Sequence, residues 1–260
     1  MITVAIANQK GGVGKTTIAR NLTFFAAEKK LRVLAADFDP QRNFSSTYRA
    51  VRERNLGDDG MGVKSLTSSS LFKSKISKHK PLDCGDGIGL IAADRELVDV
   101  GRLPIKDLTN PRDALAAVAQ DYDLCVIDTA PTLGNPLYAA LIAADYVVCP
   151  CTMDQDAIEG ISDLFEDISR VQQLGWNSNL VTLGLLANRV NKRRTFDMNT
   201  LAELRDELGG AMLDGVLYDR AATQYAKDRP VWRASSGESQ LLAAKEMKAM
   251  CGLLMQRIGL

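Results

Sequence analysis

The segment that most constrains this chain is Gly11-Gly12-Val13-Gly14-Lys15-Thr16-Thr17, preceded by Lys10. It follows an apolar, strand-like run, Ile2–Ala7, and leads into helix-period sequence from Thr16 to Lys30. A glycine-rich turn between a strand and a helix converges several backbone N–H groups on one point. Glycines lack the Cβ that would hold an anion away, and the helix N-terminus adds the positive end of its dipole. At this spacing Lys15 reaches the β- and γ-phosphates of a nucleoside triphosphate, and the Thr16 hydroxyl is a ligand for Mg²⁺. A chain that opens this way is expected to build a phosphate site at the edge of a sheet.

The remainder alternates as such a sheet requires. Further strand candidates are Arg32–Asp37, Gly89–Ala93, Leu124–Asp128, Tyr146–Pro150, Val181–Ala187 and Met212–Tyr218. They are rich in Val, Ile and Leu without clean polar alternation, as strands covered on both faces are. Between them lie helix-period stretches at Pro111–Gln120, Pro136–Ala144, Glu159–Leu174, Met198–Leu208 and Ser239–Ile258. This predicts an α/β fold, a doubly wound and mostly parallel sheet flanked by helices, in one domain over 1–260. Residues 55–88, with several glycines and Ser68-Ser69-Ser70, read as loop mixed with short helix. With 46% hydrophobic and 25% charged residues the chain can bury a large core and is not a disordered sequence. The 32 Lys and Arg balance 32 Asp and Glu, which excludes a globally basic nucleic-acid binder but leaves room for a local basic face. Cysteines 84, 125, 149, 151 and 251 are odd in number and suggest no disulfide framework; Cys125 and Cys149 sit in apolar runs as buried side chains. Met1 opens without a signal-peptide pattern, and no apolar run approaches the ~18 residues that span a bilayer. A cytoplasmic location is expected.

Two acidic segments fall where the phosphate loop needs them. Arg32–Asp37 ends in Asp37-Phe38-Asp39-Pro40-Gln41, and Leu124–Asp128 ends in Asp128-Thr129-Ala130-Pro131. In a parallel sheet both emerge at the carboxyl edge beside the loop. There Asp128 can hold a water of the Mg²⁺ shell, and Asp37 or Asp39 can order the metal or the attacking water. Taken together, Lys10 to Thr17 resembles the deviant Walker A motif of the ParA/MinD family of P-loop ATPases. The two acidic segments resemble that family's switch I and its switch II or Walker B motifs, and order and spacing fit along the whole chain. Asn8-Gln9 and Pro40-Gln41 resemble the ParA/Soj branch, which segregates plasmids and chromosomes.

The resemblance implies ATP and Mg²⁺ as cofactors. It implies Gly11, Gly12, Val13, Gly14, Lys15, Thr16 and Thr17 around the phosphates, and Thr16, Asp37 and Asp128 supporting the metal. Asp39 would position the hydrolytic water. Lys10 would be a signature lysine crossing an ATP-sandwich homodimer to the partner's phosphates, where a cation stabilises transferring oxygens as an arginine finger does. Asp154 matches a position near that dimer interface, or is a surface turn acid. Asn188, in Asn188-Arg189 after Val181–Ala187, matches a position set against the adenine edge, and Asn offers both donor and acceptor. After Tyr218 chromosomal relatives carry Pro-Arg-Asn, whereas this chain has Asp219-Arg220-Ala221.

DNA binding is a question of local charge. Residues 42–80 carry nine Lys and Arg against three acids. A second group is Lys192, Arg193, Arg194, Arg220, Lys227, Arg229 and Arg233. The ParA branch carries DNA-contacting arginines in corresponding C-terminal loops, which implies Arg193 or Arg194, Arg220 and, as a substitute, Lys227 for non-specific DNA. It further implies a ParB-like centromere-binding protein as partner and association with the nucleoid. With Lys10 already the tenth residue, no helix-turn-helix module is expected ahead of the loop. The stripe Leu241, Ala244, Met247, Cys251, Leu254, Ile258 reads as a helix packed on the sheet, and only Arg257 is basic after Lys248, so no membrane partner is expected. The rivals are a MinD-like positioner of another cargo, a metabolic P-loop enzyme and a nucleotide-gated filament protein.

Overall fold

A computed structural model describes residues 1–54, 64–75, 78–132, 134–234 and 237–260. In chain order the elements are β1 (Ile2–Ile6), α1 (Lys15–Glu28), β2 (Val33–Phe38), α2 (Asn43–Ser46), α3 (Arg49–Arg54), α4 (Ser68–Leu71), β3 (Leu82–Asp83) and β4 (Ile88–Ile91). There follow α5 (Asn110–Val118), β5 (Leu124–Thr129), α6 (Asn135–Ala143), β6 (Tyr146–Cys151), α7 (Gln155–Gln173), β7 (Val181–Val190), α8 (Thr195–Leu208), β8 (Met212–Tyr218), α9 (Ala221–Tyr225) and α10 (Glu238–Arg257). Short 3-10 turns cover Arg95–Arg102 and Ile105–Thr109.

The strands form one sheet in the order β3-β4-β2-β5-β1-β6-β7-β8. Every pairing is parallel except β3 on β4. The seven expected strands are present with ends shifted by a few residues. The antiparallel edge pair at Leu82–Asp83 is the addition, inside the stretch read as irregular. Two residues of ladder leave no periodicity to detect. Of that stretch, 55–63 and 76–77 lie outside the described residues.

Side chains alternate across the pleat, so β1 feeds both faces. Val4 and Ile6 join the core under α1 and α10; Ala5 joins the other core, with Leu137 and Leu141 of α6 and Leu164 and Ile168 of α7. Cys125 and Cys149 are fully buried and all five cysteines are free. On α10 the buried stripe is Gln240, Ala243, Met247, Met250, Cys251 and Leu254. Leu241, expected in that stripe, is instead 70% exposed: the helix phase at its first turn turns Gln240 inward, where Gln240 donates to the Val231 carbonyl. Among the described residues, no helix is long and apolar enough to cross a membrane.

Strand order reverses about β1, with β5 and β2 on one side and β6, β7 and β8 on the other. A parallel sheet opens a crevice outside its carboxyl ends at such a switch point. The phosphate loop leaves β1 there.

Candidate nucleotide site

The loop needs its glycines for two separate reasons. Gly12 and Gly14 have φ of +77° and +93°, a region L side chains rarely enter. Gly14 is also pressed against Asn188, so a Cβ there would collide with the Asn188 amide nitrogen. Gly11 has neither restriction, its nearest neighbour being Pro131 Cβ at 3.8 Å. Replacing Gly14 with Ala is expected to lower the thermal midpoint and weaken nucleotide binding more than about tenfold, from the left-handed strain alone at ~1–2 kcal/mol plus the clash. Gly11→Ala should leave the midpoint unchanged. Thermal unfolding and a fluorescent-ADP titration of the two variants check this.

Helix α1 begins at Lys15, and the Ile18 N–H donates to the Gly14 carbonyl at 3.0 Å. Lys15 Nζ turns back to the Lys10 carbonyl at 2.9 Å. Burial pushes the Lys15 ammonium down to about 8, against the pull of Asp128 and Asp39. It is a desolvated cation that lines one cavity with Gly12, Gly14, Thr16 and Thr17.

Asp37 and Asp128 face one another in register across β2 and β5. Asp37 Oδ2 accepts from the Ser45 N–H at 2.7 Å and the Ser45 hydroxyl at 2.6 Å, and Asp37 Oδ1 accepts from the Asp39 N–H at 3.1 Å. Both oxygens thus brace the segment carrying Asp39. Asp128 Oδ2 accepts from the Thr16 hydroxyl at 2.7 Å, while Asp128 Oδ1 is buried without a partner. Burial, with the neighbouring carboxylates adding to it, raises both Asp37 and Asp128 above the usual carboxylate range. A buried acceptor left unpaired costs about 1–3 kcal/mol, which a cation or its water shell would recover. One hydroxyl, a second-sphere carboxylate and open space for phosphate and water oxygens are the donor set Mg²⁺ takes. Among the described residues no group of three or more His, Cys, Asp or Glu could make a protein-only metal cage.

Asp39 is buried, and its Oδ1 accepts from the Gln41 N–H at 2.9 Å. With Lys15, Thr16 and Thr17 it lines a cavity of about 440 Å³ that runs from the loop to Tyr218, Thr223 and Met247. Asn188 is at the junction, with its Nδ2 donating to the Val13 carbonyl at 2.6 Å. Arg220 Nε and Nη2 bind Glu246 Oε2 and Oε1 at 2.9 and 2.6 Å, a two-pronged pair at 15% and 19% exposure. Arg220 is therefore placed in the cavity wall, apart from the exposed Arg193, Arg194 and Lys227 with which the sequence groups it. The reason is Glu246, which faces it from α10, 26 residues later in the chain, and no local pattern shows that.

Lys10 turns the other way. Its ammonium lies on Asp154, whose second oxygen accepts from the Thr152 hydroxyl at 2.6 Å. Both line a neighbouring cavity of about 250 Å³ with Arg189 and Arg194. Arg194 pairs with Asp197 at 3.6 Å, and Arg193 is exposed just before α8.

The fold and loop define a P-loop nucleotide-binding protein of the deviant Walker A type. A family model described as an AAA domain matches residues 1–182. IncC from Escherichia coli is 35% identical over 96% of this chain and 68% of its own, and Soj, a chromosome-partitioning ATPase of Thermus thermophilus, is 34% identical over 79% and 76%. A solved plasmid partition protein from Borrelia burgdorferi superposes with a TM-score of 0.76 at 25% identity, covering 98% of each chain. The chain belongs to the ParA/Soj family of partition ATPases.

Proposed function

We propose that this protein is a Mg²⁺-dependent ATPase that pairs with a second copy of itself on ATP, binds DNA without sequence preference, and hydrolyses ATP under the control of a ParB-like centromere-binding partner. The observation that carries the reading is the position of Lys10. Its ammonium lies on Asp154 in the smaller cavity, whereas its own nucleotide cavity is served by Lys15. A second lysine set outside its own phosphate site can serve the phosphates of another copy. The fold alone would not select this reading, because a cobyrinic acid a,c-diamide synthase from Mycobacterium smegmatis shares it with a TM-score of 0.74 at 24% identity.

In this mechanism the loop N–H groups and Lys15 would hold the phosphates, and Thr16 and Asp128 would hold the metal. When bound, Mg²⁺ would supply neutralisation of the phosphate charge. Asp39 orients a water toward the γ-phosphorus, and Asp37 braces the Asp39 segment through Ser45. Lys10 from the partner copy completes the charge around the transferring group, leaving Asp154 to do so.

Measuring ATP hydrolysis with and without DNA, and mass by light scattering with a non-hydrolysable ATP analogue, tests the reading. A monomer under all nucleotide conditions, with hydrolysis indifferent to DNA, would overturn it. The DNA face drawn here uses Arg193, Arg194 and Lys227. Replacing Arg193 and Arg194 with Glu is expected to weaken DNA binding and flatten the dependence of log affinity on log salt by roughly two for each protomer engaged. ATP binding should be untouched. An unchanged salt slope would move the DNA face elsewhere, first to the basic residues of the 42–80 segment.

A further inference from the structure

The junction between the two cavities contains a device that the reading of Asn188 as an adenine contact leaves unused. Strand β7 ends irregularly: its register against β8 shifts between Leu185 and Ala187 and again between Ala187 and Val190. Within the second shift lie Asn188 and Arg189. Arg189 has φ of +56°, left-handed backbone that a long non-glycine side chain enters at a cost. Strain of this kind persists where surrounding structure fixes it, and here it carries the guanidinium over the phosphate loop. Arg189 Nη1 donates to the Gly12 carbonyl at 2.9 Å, while its Nε lies 3.9 Å from Asp219. Its neighbour Asn188 donates to the next carbonyl, Val13, at 2.6 Å.

We infer that Asn188 and Arg189 are positioning residues of the phosphate loop, pinning two consecutive peptide planes from outside so that their N–H groups are aimed before nucleotide arrives. The inference rests on the nucleotide-site reading above. A trans peptide is planar, with its C=O and N–H pointing in opposite directions. Holding the Gly12 carbonyl therefore fixes the direction of the Val13 N–H, and holding the Val13 carbonyl fixes that of the Gly14 N–H. Lys15 does the same for one more plane, since its bond to the Lys10 carbonyl orients the Gly11 N–H. Three donors, the N–H groups of Gly11, Val13 and Gly14, are thereby set by side chains rather than by the loop backbone alone, and glycine-rich backbone would otherwise lose the most entropy on ordering. Asp219 stands where chromosomal relatives carry proline, and its carboxylate faces the Arg189 guanidinium.

The clamp acts on phosphate affinity for di- and triphosphates alike and leaves base preference alone, which separates it from a base contact. Arg189→Asn removes the guanidinium while keeping a residue that tolerates left-handed backbone. Asn188→Asp removes the donor with little change of shape. Fluorescent ADP and ATP titrations, with GDP as competitor, are read beside the thermal midpoint without nucleotide. Each variant is expected to bind ADP and ATP several-fold to about tenfold more weakly at an unchanged ADP-to-GDP ratio, and Asn188→Asp, which strands the buried Val13 carbonyl, to lower the midpoint as well. Wild-type ADP affinity in Arg189→Asn overturns the inference for Arg189. A collapsed ADP-to-GDP ratio in Asn188→Asp overturns it for Asn188 and returns that residue to the base. Lys15→Ala run in parallel separates the two levels: if it also binds ADP normally, the nucleotide site itself is misplaced.

Discussion

Lys15→Ala is expected to lose at least about a hundredfold in affinity for both ADP and ATP, with the fold intact. The expectation follows from where the ammonium sits. Burial has already lowered its proton affinity, so the free protein carries a poorly solvated cation whose favourable partners in the structure are Asp128, Asp39 and the Lys10 carbonyl. A bound polyphosphate would be its strongest partner in the cavity. Truncating one side of such a desolvated charge pair costs ~2–5 kcal/mol, mostly by stranding the other charge, and a hundredfold is near the low end of that range. The free variant loses little stability for the same reason: the wild-type chain has been carrying the desolvation of the lysine without its phosphate. Calorimetric titration with ADP and thermal unfolding without it check both halves. Normal ADP affinity in a folded variant would remove the phosphate loop from the site.

How much of this was legible in the sequence depends on how local each cause is. The loop, its strand and its helix were read correctly because Gly12, Gly14, Lys15 and Thr16 act through backbone conformation and spacing within a few residues. Asp37 and Asp128 were placed correctly at the carboxyl edge, since a parallel ladder brings strand ends together whatever lies between them. The division of labour between them was not visible. It depends on Ser45, which occupies one Asp37 oxygen, and on the orphaned Asp128 Oδ1, and both are products of packing. The base-side wall failed to show for the same reason. Glu246 reaches Arg220 from α10, and the left-handed turn at Arg189 is imposed by the irregular end of β7, neither of which leaves a periodic trace. Arg220 shows the hazard most plainly: an arginine in a basic run is read as surface charge until its carboxylate partner is found.

Asp39→Ala should separate binding from chemistry. The side chain is buried and lines the cavity close to the phosphate end, yet the bond it accepts is the local one from the Gln41 N–H. The segment itself is held by its neighbour, because Asp37 takes the Asp39 N–H and both donors of Ser45, and Ser68 donates to the Asp37 carbonyl at 2.6 Å. Removing the Asp39 carboxylate therefore leaves the backbone braced and the phosphate contacts in place. What would be lost is the acceptor proposed to orient the attacking water, a contribution typically of 10²–10⁴ in rate. The variant is expected to bind ATP within about threefold of wild type, a difference under 1 kcal/mol, and to hydrolyse it at least about a hundredfold more slowly. Asp37→Ala is the contrasting case: it frees Ser45 and the Asp39 N–H inside the core, so stability, binding and hydrolysis should all fall together. Single-turnover phosphate release beside fluorescent-ATP binding distinguishes them. Wild-type hydrolysis by Asp39→Ala would assign the water to another acceptor, and the unpartnered oxygen of Asp128 would then be the first to examine.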